Sequence, residues 1–138
     1  MVARREVFVP ERLADPLCRC FDIDPETVAW SSQRPHVPIE MNAGIPDGMA
    51  IDEEDGLWVA LWGGTAVSHN YRTRRLVEII RVPGVSQVSS CAFGGGDGSV
   101  LYVTTSRQGL PQDCEPDAGA ACALSTGTRG ATLFDFCS

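Results

Sequence analysis

The chain has 138 residues, 43% of them hydrophobic, which suits one globular domain with a packed core and excludes global disorder. Its formal net charge is −7, from 11 basic and 18 acidic residues, so we expect no nucleic acid and no anionic membrane surface as a partner. The sequence contains no apolar run of the roughly 20 residues that span a membrane. Residues 1–8 contain no apolar signal-peptide region, so we expect a cytoplasmic protein whose six cysteines are reduced thiols.

The cysteines and histidines show no metal-binding pattern. No two cysteines form a CxxC pair, and His36 and His69 are each isolated in the sequence. We therefore expect the cysteines to serve as small buried or half-buried hydrophobic side chains.

Turn signals divide the chain into short apolar segments. Residues 24–27, Asp-Pro-Glu-Thr, form a turn because proline at its second position presets φ. The two prolines in residues 34–38 remove two ladder donors, so this segment fits only an edge strand that leads into a loop. Residues 83–84 and the glycine-rich run 94–98 end two further strands. No segment combines a helical period with caps, so the predicted class is all-β. The predicted strands are residues 6–9, 17–23, 28–32, 34–38, the hairpin 44–61, 65–71, 74–82, 85–93, 100–105, 119–124 and 131–137.

The hairpin at residues 44–61 carries a carboxylate at its mouth. A turn with Pro46 and Gly48 places Asp47 just before a short apolar strand, and a second turn at residues 55–56 leads into the next strand. On this local pattern alone, Asp47 is an ordinary turn residue.

The hairpin recurs further along the chain. Met-Ala-Ile at residues 49–51 matches Cys-Ala-Phe at 91–93, and Leu-Trp-Val-Ala at 57–60 matches Leu-Tyr-Val-Thr at 101–104. A period of about 40–45 residues built from four short strands is typical of a propeller blade. On this interpretation residues 17–39 are the outer half of one blade, 44–82 are a whole blade, and 88–124 are three strands of the next. Residues 1–16 are a mostly irregular N-terminal segment, and 17–138 are a propeller fragment.

Other candidate sites are weaker. The four successive acids at residues 52–55 lack an EF-hand pattern and are predicted to form a solvated acidic turn. Trp58 is predicted to be blade core, and His69 to be structural. No serine lies in a Gly-x-Ser-x-Gly context, which argues against a serine hydrolase.

Three motifs together resemble the SMP-30/gluconolactonase/luciferin-regenerating-enzyme family. They are Gly-Ile-Pro-Asp-Gly-Met-Ala-Ile-Asp at residues 44–52, Gly-Leu-Trp-Val-Ala-Leu-Trp-Gly-Gly at 56–64 and Ser-Ser-Cys-Ala-Phe-Gly-Gly at 89–95. The similarity runs in order over about residues 17–138 and covers the C-terminal half of the family pattern. It implies a partial six-bladed β-propeller, with about two and a half to three blades of four-stranded antiparallel sheet in this chain.

The resemblance also implies a function. Family members hydrolyse sugar lactones or related esters and hold one divalent cation in the central channel, with calcium or zinc as the first candidates and manganese or magnesium as further ones. The family's ligands are a Glu, an Asn and the Asp of Pro-Asp-Gly, which is Asp47 here and is also the candidate general base. Glu6, Glu11 and Asn42 do not lie in the matching contexts, so only Asp47 is assigned, both as a metal ligand and as a catalytic residue.

Two functions remain open from the sequence. The first is a metal-dependent lactone hydrolase of which this chain is a C-terminal half, and the second is an inactive propeller arc that only assembles or binds. Because about two and a half blades leave sheet edges and apolar faces uncovered, we expect self-association or a partner that supplies the N-terminal half.

Overall fold

The computed structural model describes residues 6–11 and 16–132, and within them the chain forms ten strands and no helix. None of these residues belongs to a helix that is long and apolar enough to cross a membrane. The strands are β1 Glu6–Glu11, β2 Leu17–Ile23, β3 Trp30–Pro38, β4 Ile45–Ile51, β5 Leu57–Trp62, β6 Ala66–Asn70, β7 Leu76–Arg81, β8 Val88–Gly94, β9 Val100–Thr105 and β10 Ala121–Ser125.

The strands form three antiparallel sheets that follow one another along the chain. Sheet I has the order β1-β2-β3, sheet II the order β4-β5-β6-β7, and sheet III the order β8-β9-β10. Sheet II is the whole blade predicted for residues 44–82, and sheet III supplies the three strands predicted for residues 88–124. The all-β class and the partial propeller are therefore confirmed.

Sheet I begins earlier than the predicted propeller segment. The weak strand predicted at residues 6–9 is present as β1, which extends to Glu11 and pairs with β2 from Glu6↔Asp22 to Glu11↔Leu17. The domain boundary at residue 17 stays a prediction. At the other end, residues 133–137 of the predicted last strand lie outside the described residues. Ala131 and the residue after it are not in a strand, and the Ala131 N–H donates to the carbonyl oxygen of Ile51 at 2.9 Å.

Sheet I also corrects the prediction of two short strands at residues 28–32 and 34–38. They form one strand, β3, which lies at the edge of its sheet and so tolerates prolines that donate no hydrogen bond. Val28 lies before it with φ of 58° and belongs to the preceding turn. That turn was predicted correctly, since the Asp24 carboxylate accepts hydrogen bonds from the N–H groups of Glu26 at 2.8 Å and Thr27 at 2.9 Å.

The core has two layers because sheet II is covered on both faces. The sequence of β5, Leu-Trp-Val-Ala-Leu-Trp, is a continuous apolar run, as expected for a strand with two buried faces. Trp58 and Ala60 belong to the layer shared with sheet III, which includes Val88, Leu101 and Val103. Leu57, Val59 and Leu61 belong to the layer shared with sheet I, which includes Cys18 and Val37. Each fully buried Leu or Val stabilises the fold by about 1.5–3 kcal/mol. Because β5 contributes buried side chains to both layers, it is the central strand of the arc.

Candidate functional site

The Pro-Asp-Gly segment lies within a strand. Residues 46–48 are part of β4, so the predicted turn at Pro46 and Gly48 is wrong. In the pairing with β5, Pro46 faces Leu61 and Met49 faces Val59, which leaves one extra residue on β4. This is a β-bulge, and Pro46 favours it because proline cannot donate a ladder hydrogen bond. Bulges commonly re-aim a side chain beside an active site, and here the bulge carries Asp47.

Gly48 is required by the contact between two blades. A Cβ atom at this position would lie 2.1 Å from Oγ and 2.7 Å from Cα of Ser90, which belongs to β8. Only glycine therefore lets β4 approach β8 this closely. Close packing of two inner strands, and not a turn, therefore explains the glycine of Pro-Asp-Gly.

Asp47 is half-buried and borders a cavity of about 600 Å³. The cavity lies among β1, β4, β8 and residues 130–132, and most of its wall is apolar, including Phe8, Met49 and Phe93. Glu6 is a second acid in this wall, and its Oε1 accepts a hydrogen bond from Nη2 of Arg34 at 2.6 Å. The structure thus places the predicted site residue in a concave pocket, as expected of a ligand site.

The described residues do not complete a cation site. Among residues 6–11 and 16–132, no group of three or more His, Cys, Asp or Glu side chains could hold a metal ion. A hard divalent cation takes six or more oxygen ligands, part of them water, and Asp47 supplies one carboxylate. The donor set present here therefore does not by itself fit the cation that the family resemblance implies.

A second carboxylate, Asp52, is the best-anchored acid of the described chain. It was predicted to lie in a solvated acidic turn, but only 2% of it is exposed, so that prediction is wrong for Asp52; Glu53, Glu54 and Asp55 are exposed. Its Oδ1 accepts from the N–H groups of Glu54 at 2.9 Å and Gly56 at 2.7 Å. The Asp52 side chain thereby accepts hydrogen bonds from two backbone N–H groups of the hairpin turn that follows it.

The other carboxylate oxygen of Asp52 connects the end of β4 to β5 and β6. Oδ2 accepts from Nε1 of Trp58 at 2.8 Å and lies 3.0 Å from Nε2 of His69. The His69 ring stacks on Trp58 with centroids 4.0 Å apart and an angle of 13°. Trp58 is therefore blade core, as predicted, while His69 is a buried residue of β6 that connects to the end of β4. The one signal in the sequence is that Asp52 directly precedes a hairpin turn. Trp58 and His69 become cross-strand neighbours only when β5 pairs with β6.

Four of the five described cysteines are buried or half-buried, as predicted, and Cys114 is exposed, so the prediction is wrong for it. Cys18 and Cys91 are buried, and burial raises the pKa of each thiol to about 12. The Cys91 thiol donates to the carbonyl oxygen of Trp58 at 3.5 Å. Such thiols are packing residues and neither nucleophiles nor metal ligands.

Three consecutive antiparallel sheets that pack on one another define an arc of a β-propeller. Its cavity is lined by Asp47 on β4. The family model described as the SMP-30/Gluconolactonase/LRE-like region matches residues 7–107. The chain belongs to this family.

Similar proteins support the assignment over most of the chain. Regucalcin from Oryctolagus cuniculus is 36% identical over 121 residues, which are 84% of this chain and 40% of that protein. A crystal structure of a calcium-binding protein, regucalcin from Agrobacterium tumefaciens, superposes with a TM-score of 0.79 at 25% identity and covers 94% of this chain and 44% of the other. A luciferin-regenerating enzyme superposes with a TM-score of 0.76 at 29% identity, covering 91% and 43%. The chain thus spans less than half the length of these relatives.

Proposed function

We propose that this chain forms the Asp47 side of a metal-dependent hydrolase site for sugar lactones or related esters. The single observation that carries the proposal is the bulge of β4, which puts Asp47 in the wall of the concave pocket instead of in a surface turn. The family membership and the regucalcin-type relatives agree with this chemistry.

Asp47 suits two roles in such a site. A carboxylate can bind a divalent cation, for which calcium and zinc are the first candidates, and it can accept a proton from water. A cation held there by Asp47 and further ligands would polarise the ester carbonyl or lower the pKa of water. The remaining ligands would have to come from outside the described residues.

The first test is hydrolysis of a sugar δ-lactone, followed through the proton that each turnover releases and corrected for spontaneous hydrolysis. We expect calcium, zinc or manganese to support turnover and a chelator to abolish it. Asp47→Asn should lower kcat/KM by at least about 100-fold, the usual contribution of a general base.

The matched control is Asp113→Asn, which changes an exposed acid in the loop after β9 and should leave kcat/KM unchanged. Turnover that survives Asp47→Asn would show that Asp47 plays neither role. Absence of both metal binding and turnover in the unmodified chain would leave the inactive arc as its function.

We also propose a cytoplasmic location, which rests on the five free cysteines of the described residues. Cell fractionation with an antibody to the chain would test it, and recovery in an oxidising compartment would contradict it.

A further inference from the structure

Two polar side chains interrupt the apolar layer between sheets I and II. Successive residues of a strand point to opposite faces of the sheet, and Ala66 of β6 belongs to the layer shared with sheet I. Ser68 and Asn70, the alternate residues that follow on β6, therefore face sheet I as well. Each of them is only 3% exposed. Because buried polar groups need hydrogen-bond partners, the surroundings of this pair carry information about a ligand.

The protein satisfies only part of the hydrogen-bonding capacity of this pair. Nδ2 of Asn70 donates to Oγ of Ser68 at 3.2 Å. Within the part of the chain that the structure describes, the Ser68 hydroxyl donates to no group and the Asn70 amide oxygen accepts from none. The opposite orientation of the amide would also leave one donor and one acceptor open. A hydroxyl group, which both donates and accepts, matches the pair in either orientation.

Ser68 and Asn70 line a cavity of about 310 Å³ between sheets I and II, which we call the outer cavity. It shares no lining residue with the cavity beside Asp47. Its volume lies at the lower end of the range for ligand pockets, so it suits a small molecule. Aliphatic side chains form much of the wall: Ile39, Leu61, Leu76 and Ile79.

An arginine lies at one end of the outer cavity. Arg74 belongs to the turn between β6 and β7, which follows Asn70. Burial, and then the Arg74 guanidinium, lower the pKa of His36 on β3, so this positive charge lies on the side that faces sheet I. Among the residues that the structure describes, Arg74 forms no ion pair. A guanidinium without an acidic partner beside an apolar cavity is suited to bind a carboxylate.

An acid lies at the other end of the outer cavity. Glu40 belongs to the linker between β3 and β4 and also lines the cavity. This linker packs against the start of the β5–β6 turn, since a Cβ atom on Gly44 would lie 2.8 Å from the backbone N of Gly64. A ligand whose carboxylate pairs with Arg74 therefore extends toward Glu40, which repels a second carboxylate. The charges thus favour a monocarboxylic acid.

We propose that the outer cavity binds a small aliphatic monocarboxylic acid that carries a hydroxyl group beside its carboxylate. The carboxylate pairs with Arg74, and the hydroxyl group bonds to Ser68 and Asn70. The hydrocarbon tail packs on Leu61 and Ile79. The site is separate from Asp47, and the proposal holds whether or not the chain hydrolyses a lactone.

Isothermal titration calorimetry with three related acids tests the ligand class. We expect saturable binding of leucic acid, which has one carboxylate, an adjacent hydroxyl and a branched aliphatic tail. Isocaproic acid lacks only the hydroxyl and should bind about 5-fold more weakly, the usual effect of one neutral hydrogen bond. Malic acid has a second carboxylate in place of the tail and should bind at least about 10-fold more weakly.

Two variants of the same turn test the role of the guanidinium. Arg74→Asn should weaken leucic acid binding at least about 10-fold, the effect of losing a charge-assisted hydrogen bond. Asparagine accepts the φ of 71° at this position, so the turn should keep its shape. The matched control, Arg75→Asn, changes the next residue, which is exposed and does not line the cavity. It should change the affinity less than twofold.

Nuclear magnetic resonance locates the bound acid. We expect leucic acid to shift the side-chain NH2 signals of Asn70 and to leave the backbone amide of Gly48, beside Asp47, unchanged. Shifts at Gly48 without shifts at Asn70 would overturn the proposal. Equal affinities of the two arginine variants, or no saturable binding of leucic acid, would also overturn it, and the latter would show that the outer cavity holds only water.

Discussion

Replacing Asp52 by asparagine tests the buried network most sharply. Asparagine has nearly the same shape as aspartate, but one of its two acceptor oxygens becomes an NH2 donor. If Oδ1 keeps its bonds to the N–H groups of Glu54 and Gly56, the new amide nitrogen faces Nε1 of Trp58 and Nε2 of His69. The variant therefore changes one side of the network and preserves the hairpin turn.

The expected cost follows from what each neighbour can do. His69 can adapt, because its Nε2 can accept from the new amide while a proton on Nδ1 faces Oε1 of Glu78 at 3.6 Å. Trp58 cannot adapt, because an indole N–H only donates. The loss of a hydrogen bond to a charged group costs about 1.5–3 kcal/mol, and the unpaired buried donor costs about 1–3 kcal/mol. We expect Asp52→Asn to lower the free energy of unfolding by about 3 kcal/mol, and the melting temperature by about 10 °C for a chain of this size.

Urea unfolding followed by tryptophan fluorescence and circular dichroism measures this difference. The matched control is Asp55→Asn, three residues further along the same turn. Asp55 is exposed, forms a surface ion pair with Arg72 at 3.1 Å and has φ of 62°, a conformation that asparagine accepts well. The control should stay within about 0.5 kcal/mol of the unmodified chain. If Asp52→Asn were equally mild, the network would contribute no stability and the reasoning would be refuted.

Two further predictions concern the packing of Gly48 and the burial of His36. Gly48→Ala should destabilise the fold by about 2 kcal/mol in the same urea assay, because the new methyl group collides with Ser90. Adding Ser90→Gly to this variant should recover part of the loss. An unchanged urea midpoint for Gly48→Ala would show that the two inner strands do not meet this closely. Burial, and then the nearby Arg74 guanidinium, lower the pKa of His36 below its ordinary 6.5, so the unfolded chain binds more protons as the pH falls below 6.5. The contribution of His36 to the free energy of unfolding should therefore be fully present above pH 6.5 and be lost as the pH falls through the folded-state pKa, with a slope of at most about 1.4 kcal/mol per pH unit. His36→Gln should flatten this slope. An equal slope in both proteins between pH 7.5 and pH 5 would contradict the prediction.

The strands and their grouping into blades were predictable from sequence because local signals and the repeat agree. Turn residues mark most strand ends, and the recurrence of residues 49–60 at 91–104 fixes which hairpins are equivalent. The continuous apolar run of β5 also indicates its two buried faces.

The bulge and the buried acid were less accessible to sequence reasoning. A proline and a glycine around Asp47 are typical of a turn, and only the pairing with β5 shows an extra residue within a strand. Asp52 looks like its three acidic neighbours in the sequence. Its burial depends on Trp58 and His69, which meet it only after three strands have paired. Both errors concern residues whose environment is made by distant parts of the chain.

Asp47 within β4 and Asp52 directly after it have complementary relations to the rest of the fold. Asp52 fixes the end of the strand through Trp58, and Gly48 fixes its middle by direct contact with β8. Asp47 lies between Gly48 and the start of the strand, so sheets II and III set its position before any ligand arrives. Preorganised placement of this kind lowers the cost of completing a site. The arc therefore supplies the geometry of the pocket wall that carries Asp47.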